Sequence, residues 1–434
     1  MTGWNAVVVM APQCTCTPRI STPATLAGVF DVAAVRELFP ALSRRVGDDP
    51  AVYADGPGGT QVPRSVIDAM AGFLREGGSN LGGPFVTSRE SSAAERGARR
   101  AVADLVNAER PEEISFGQNM TSLTLSLSRA LARTWEPGDQ IVCTRLDHDA
   151  NVWSWKQAAD DAGAELVMVD FDVAAGRLEP DRIAEALTPR TRLVAVTHAS
   201  NALGSVVDVA AVTEAAHAAG ALVFVDAVHF APHGGIDVRA IGCDGLAVSA
   251  YKFFGPHTGA LYLRHDLSTR LDAVRIRPAP SDPPGKWETG TQSFESLAGV
   301  TAAVDYLASL GEGADRRAAL DDAMTRIGAH ERTLSARFLE GVEALGGVTV
   351  HGIDRAEGRT PTFALAVEGR SAAEVASRLG ERGIFVWHGH YYAVEVMRSL
   401  GVLDTGGLVR IGFVHYNTIE EVDRTVDSLA RLVP

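Results

Sequence analysis

Six polar residues stand where short apolar runs end. Asp226 closes the run FVD. Ser249, Tyr251 and Lys252 follow the next run, in AVSAYKFFGP, while Asn201 lies in THASNALG and His148 in RLDHDAN. Singly, each has an ordinary role: Asp226 caps a helix, Lys252 is a solvated lysine, His148 is a hydrogen-bonded turn residue. Together they supply what a pyridoxal 5′-phosphate site needs. A lysine amine condenses with the cofactor and later moves the Cα proton. A carboxylate keeps the pyridine nitrogen protonated, an aromatic ring stacks on the pyridine, and hydroxyls and backbone N–H groups cradle the phosphate. Lysine suits this work because its amine gives up its proton readily when desolvated near another cation.

Such residues need a scaffold that brings strand ends together. Ile141–Cys143, Leu166–Val169, Leu193–Val196, Leu222–Val225 and Leu246–Val248 are short, continuous apolar runs. Between them lie Ala-rich helical stretches such as Asp208–Ala219, and Val66, Ile67, Met70, Phe73 and Leu74 recur at helical spacing. Short unalternating strands separated by helices predict a mostly parallel sheet covered on both faces. Ligands bind such sheets at the carboxyl ends of the strands, where these six residues fall. The loop PAPSDPPGK, Pro278–Lys286, leaves this unit. Beyond it, helices lead into strands near Val348–Val350, Thr362–Val367, Ile384–Trp387 and Leu408–Phe413, a second α/β unit.

The chain has 434 residues, which favours a large domain plus a smaller one. Its net charge of −14 argues against a nucleic-acid partner. No apolar run reaches membrane-spanning length. The four cysteines, Cys14, Cys16, Cys143 and Cys243, form no CxxC pair. Cys143 and Cys243 read as buried thiols, and this usage fits a reducing cytoplasm. No metal site is expected; the HxH of His388 and His390 is a weak signal alone. Residues 1–30 read as a flexible extension and 31–65 as an N-terminal segment contributing to the small domain and the active site. Residues 66–295 read as the large cofactor domain and 296–434 as the small C-terminal domain.

The stretch VDAVHFAPHGGIDVRAIGCDGLAVSAYKFFGPHTGALYLR resembles the cofactor-lysine region of the class V aminotransferase group of fold-type I pyridoxal-phosphate enzymes, and of the cysteine desulfurases in particular. The resemblance runs from about Phe30 to the C-terminus. It implies an α/β fold: a large domain with a mostly parallel seven-stranded sheet and a smaller C-terminal α/β domain. It makes Lys252 the Schiff-base lysine, pairs Asp226 with the ring nitrogen and stacks His148 on the ring. His229 takes the place of a glutamine that bonds the ring 3′-oxygen, and Asn201 contacts that oxygen or the substrate. Met120 and Thr121, in FGQNMTSLT, fall where the family binds phosphate at a helix start, a location that suits an anion. Ser249 and Tyr251 face the phosphate as well, Tyr251 replacing a common histidine. Thr291, in ETGTQ, matches a residue lent to a neighbouring subunit, which implies a homodimer. Arg410, in LVRIGFVHYNT, matches the arginine that holds the carboxylate of an amino-acid substrate. The loop DGPGGTQVP, Asp55–Pro63, with Gly58 at its centre, matches a loop lining the substrate pocket.

The resemblance departs at one place. Desulfurases carry a cysteine on a small-domain loop that takes sulfur as a persulfide. Here the stretch VWHGHYYAVEVM puts Tyr392 at that position, with His390 and Tyr391 beside it. A phenol, with its pKa near 10, is a poor nucleophile toward sulfur. What remains is Cα deprotonation by Lys252 with the carboxylate on Arg410. A carbon–sulfur lyase, or another β/γ-elimination or replacement enzyme, follows. His390, Tyr391 or Tyr392 would serve as general acid; alternatively Tyr391 and Tyr392 are a packed aromatic pair. Epimerisation and transamination use the same lysine and arginine and stay open, and a pyridoxal-phosphate-carrying binding protein without turnover is the reading from another class.

Overall fold

The computed structural model describes residues 30–434. The flexible extension expected at the N-terminus, with Cys14 and Cys16, lies in residues 1–29, outside them. A seven-stranded sheet carries the large domain. Its spatial order is Ile114–Gly117, Gly259–Leu263, Gly245–Ser249, Leu222–Asp226, Thr191–Thr197, Gln140–Thr144, Glu165–Val169. All neighbours from Gly245–Ser249 to Glu165–Val169 pair in parallel, and only Gly259–Leu263 runs against the rest. The expected mostly parallel sheet is thus the fold. Its central strands are buried over almost their whole length, as continuous apolar runs require when helices cover both faces.

Two large clusters pack on the two sides. Trp155, Phe224 and Leu127 fill one; Phe116, Phe253 and Phe254 sit in the other, with the helices Val86–Val106 and Phe294–Ala308. The small domain is a four-stranded antiparallel sheet ordered Val348–His351, Thr362–Val367, Leu408–Gly412, Trp387–Gly389. Phe338, Phe363, Phe413 and Leu379 form its core under the helices Arg316–Glu343, Ala372–Glu381 and Ile419–Ala430.

One expected strand is corrected. Ile384–Trp387 is two strands rather than one. Ile384–Phe385 pairs in parallel with Val52–Tyr53, while Trp387–Gly389 joins the four-stranded sheet beside Leu408–Gly412. Val386 is the break, because the chain there changes its hydrogen-bonding partner from one sheet to the other. The runs Ile114–Gly117 and Gly259–Leu263 are strands that the apolar pattern did not single out.

Candidate active site

Lys252 ends a short 3-10 turn, Ala250–Lys252, that follows the strand Gly245–Ser249. Its Nζ donates to the Pro57 carbonyl, so the turn and the Asp55–Pro63 loop meet at the amine. Thr60 fastens the two together. Its N–H donates to the Tyr251 carbonyl at 3.0 Å, and its hydroxyl accepts from the Phe254 N–H at 2.8 Å. The surrounding protein, and then the Arg410 charge, bring the Lys252 amine from 10.5 down to about 7, against the opposing pull of Asp226 and Asp55.

Asp226 closes the neighbouring strand and is buried. Burial raises its carboxyl from 3.8 to about 6, although the Val228 N–H at 2.9 Å and Lys252 favour the anion. Asp55 behaves alike. Burial raises it to about 6, while Arg410 and Lys252 pull it down, and its Oδ1 is buried without a hydrogen-bond partner.

His148 sits on a turn held from below. Buried Asp147 accepts from the Thr144 hydroxyl and from Asn151 Nδ2 at 2.7 Å, and Asn151 Oδ1 accepts from Trp155 Nε1 at 3.0 Å. The Ala150 N–H donates to His148 Nδ1 at 3.0 Å, which leaves the ring proton on Nε2. Burial, then Lys252 and Arg410, bring the imidazole down to about 3, so it is neutral.

Arg410 projects from the middle of the strand Leu408–Gly412 and is buried. Its Nη1 donates to the Asn201 carbonyl at 3.0 Å, and its guanidinium lies 4.6 Å from the centre of the Tyr391 ring. Its Nε is buried and unpartnered. Burial lowers the guanidinium to about 10, which leaves it charged at neutral pH. Asn201 Nδ2 donates to the Tyr391 carbonyl at 2.9 Å, and its Oδ1 is buried and free. Gly204 makes this turn possible. Its φ is +79°, and a Cβ there would lie 2.6 Å from the Thr362 carbonyl oxygen.

Tyr391 and Tyr392 both have positive φ, 49° and 58°. Two adjacent left-handed side-chain-bearing residues store strain. The loop is held by Asn201, by the Asp149 N–H donating to the Tyr392 carbonyl at 2.6 Å, and by the Tyr392 N–H donating to His390 Nδ1 at 3.1 Å. Tyr391 points inward, and its hydroxyl is buried without a partner. Tyr392 is 67 % exposed and stacks on His148 with centroids 5.6 Å apart, while His390 is exposed.

At the other end, the Met120 N–H donates to Ser249 Oγ at 3.1 Å. Asn119 caps the helix Met120–Ala132 by accepting from the Ser122 N–H, and Thr121 is exposed in its first turn. His229 is buried with its Nε2 3.1 Å from the hydroxyls of both Thr360 and Thr362. The Tyr251 ring stacks on His257.

The structure therefore brings Lys252, Asp226, His148, Asn201, Arg410, Gly58 and Tyr391 around one space. Met120 and Ser249 meet beside it. Thr291 is exposed in the loop between Trp287 and Phe294, with no hydrogen bond to these residues. Cys143 and Cys243 are buried free thiols, and burial raises both well above their ordinary range. Three features escaped the sequence: the Asp55 carboxyl, the Asp147–Asn151–Trp155 chain, and Trp387. Trp387 is the direct cross-strand partner of Arg410, and Gly58 lies beneath its indole. Only strand register reveals that pairing. Among the described residues no helix is long and apolar enough to cross a membrane.

The chain is similar to several known proteins. The family model described as "Aminotransferase class-V" matches residues 52–425. An uncharacterized protein of Mycobacterium tuberculosis is 34% identical over 93% of this chain and 99% of its own length. A cysteine desulfurase of an Enterobacter species is 32% identical over 93% of this chain and 98% of its own. The apo structure of a cysteine desulfurase from Thermococcus onnurineus superposes with a TM-score of 0.84 at 26% identity, covering 92% of this chain and 98% of that one.

Proposed function

Because the chain belongs to the class-V aminotransferase family, whose cofactor is pyridoxal 5′-phosphate, we propose that it is a lyase that cleaves the carbon–sulfur bond of an S-bearing amino acid without a persulfide cysteine. The residues present fit the cofactor. An amine depressed to about 7, a buried carboxyl aimed at the same space, a neutral imidazole and a helix start beside a hydroxyl are the donor set it needs. Bound, the cofactor draws electron density from Cα of the amino acid and weakens the Cα–H bond.

Each side chain has a task in this reading. Lys252 holds the cofactor and takes the Cα proton on Nζ; an amine poised near 7 can accept and return a proton at neutral pH. Arg410 binds the carboxylate with its free Nε edge, since Nη1 is already committed to Asn201. When the cofactor is bound, Asp226 would pair with the ring nitrogen, His148 would stack on the ring, and His229 with Asn201 would serve the 3′-oxygen, as the resemblance implies. Met120, Thr121, Ser249 and Tyr251 hold the phosphate, as the resemblance implies. Thr291 serves a second copy of the chain in a homodimer.

One observation carries the lyase reading. The residue facing Arg410 and Asn201 is Tyr391, whose buried hydroxyl has no partner, whereas both described thiols are enclosed in the large-domain core. Burial raises the phenol, which therefore keeps its proton and can donate a hydrogen bond to a departing thiolate. Of the three candidate acids, His390 and Tyr392 are exposed. The test is incubation with L-cysteine, L-cystine and S-substituted cysteines. Pyruvate and ammonia are expected in each case, with sulfide from cysteine, thiocysteine from cystine and a thiol from an S-substituted cysteine. A stoichiometric persulfide on any cysteine overturns the reading, as does solvent deuterium entering Cα with no cleavage, which is the signature of epimerisation.

A further inference from the structure

A cleft of about 530 Å³ lies between Tyr251, the chain neighbour of Lys252, and Trp387, with Val62, Met70 and Pro256 in its walls and Asp55 in its lining. Its floor is built from glycines. A Cβ on Gly58 would lie 2.3 Å from the Trp387 indole nitrogen, and one on Gly59 would lie 3.4 Å from the Tyr251 ring. Only glycine lets the indole approach the loop this closely.

Strand register ties this cleft to the carboxylate site. Trp387 is paired directly with Arg410 in the antiparallel ladder, so both side chains leave the same face of the sheet. The next pair, His388 with Val409, puts Val409 on the other face, inside the small-domain core. An amino acid held by Arg410 therefore has the indole as its neighbour. No lysine or arginine lines the cleft, and Asp55 already faces Lys252 and Arg410. The polar groups in its lining, Thr60, His257, Ser296 and Asp55 among them, offer an anionic substituent no permanent cation. A bare thiol needs little more than the roughly 30 Å³ of one water, a small fraction of the space.

We propose that this cleft is the side-chain subsite and that it selects amino acids with a bulky, uncharged, preferentially aromatic substituent. Under the lyase reading, on which its catalytic consequence rests, the substrate is an S-aralkyl cysteine rather than cysteine. Trp387 is a specificity-determining residue, with the indole and the Tyr251 ring as the two walls.

The test separates the cleft from the reaction. Holoenzyme is titrated with L-alanine and with L-homophenylalanine, neither of which has a leaving group, and binding is read from the cofactor's absorbance. L-Homophenylalanine should bind roughly 30- to 100-fold more tightly, the factor expected for burying one aromatic ring. Trp387→Ala should cut that ratio about tenfold, and Trp387→Phe should give an intermediate value. A ratio within threefold of one in the wild type, or one unchanged in both variants, overturns the subsite. S-Benzyl-L-cysteine then tests the chemistry. Tight binding of L-homophenylalanine with no thiol released from S-benzyl-L-cysteine defeats the lyase reading and leaves the subsite standing. Thiol release with no preference for the bulky ligand does the reverse.

Discussion

The lysine amine offers the most direct test of the electrostatics. Lys252 is desolvated and faces Arg410, and these two effects outweigh Asp226 and Asp55 to bring the amine from 10.5 to about 7. At pH 8 about nine in ten of the amines would be neutral, against about one in 300 for an ordinary lysine, roughly a 300-fold difference in nucleophile. The perturbation is pH applied to the cofactor-free protein. The assay is brief labelling with an amine-reactive reagent, with occupancy at Lys252 quantified by peptide mass spectrometry across pH 5 to 11. The profile should have its midpoint near 7. In Arg410→Gln the midpoint should rise, yet remain below 10.5, because burial is the larger cause and is untouched. The sign extends to stability. Between about 7 and 10.5 the unfolded chain holds a proton on this amine that the folded chain has shed, so this group adds stability to the cofactor-free protein as pH rises through that window. A wild-type labelling midpoint above 9 would refute the account of Lys252.

Other outcomes follow from single contacts. Arg410→Ala should lower kcat/KM by about 10²- to 10⁴-fold, the loss of two charge-assisted hydrogen bonds at about 1.5–3 kcal/mol each, measured by steady-state kinetics. Asp226→Asn should weaken cofactor binding about 10²- to 10³-fold, because it removes one member of a buried charge pair; equilibrium dialysis reads this. Tyr391→Phe should leave stability to urea unchanged or raised by about 1 kcal/mol, since it deletes a buried unpartnered hydroxyl, while cutting thiol release about 100-fold. Gly204→Ala should destabilise by about 2–4 kcal/mol in urea unfolding, because its Cβ meets backbone carbonyls in a left-handed turn.

The sheet of the large domain was legible because its strands are buried on both faces. Leu193–Val196 and Leu222–Val225 are uninterrupted apolar runs, and their polar successors mark the ligand edge. The strand-end positions of Lys252 and Asp226 were legible for the same reason, whereas Arg410 was picked out by the resemblance of LVRIGFVHYNT. Ile384–Trp387 was misread because apolar content does not report which sheet a strand joins. Trp387 as a site residue was invisible for a related reason: its neighbour Arg410 is set by register between segments more than twenty residues apart. Asp55 sat in a loop read for its glycines, and nothing in its type revealed that the fold would bury one of its oxygens.

The parallel pairing of Val52–Tyr53 with Ile384–Phe385 has a consequence for biosynthesis. At about 5–20 residues per second, roughly 20 to 60 s of translation separate the two partners. Through that interval the Asp55–Pro63 loop has no anchor in the small domain, and the Lys252 strand is made in the later part of it. The nascent chain can assemble the lysine's sheet before it can close the pocket over it. Cofactor capture should then be a late, post-translational event, and loss of the last third of the chain should leave a large domain whose lysine lacks its Arg410 neighbour.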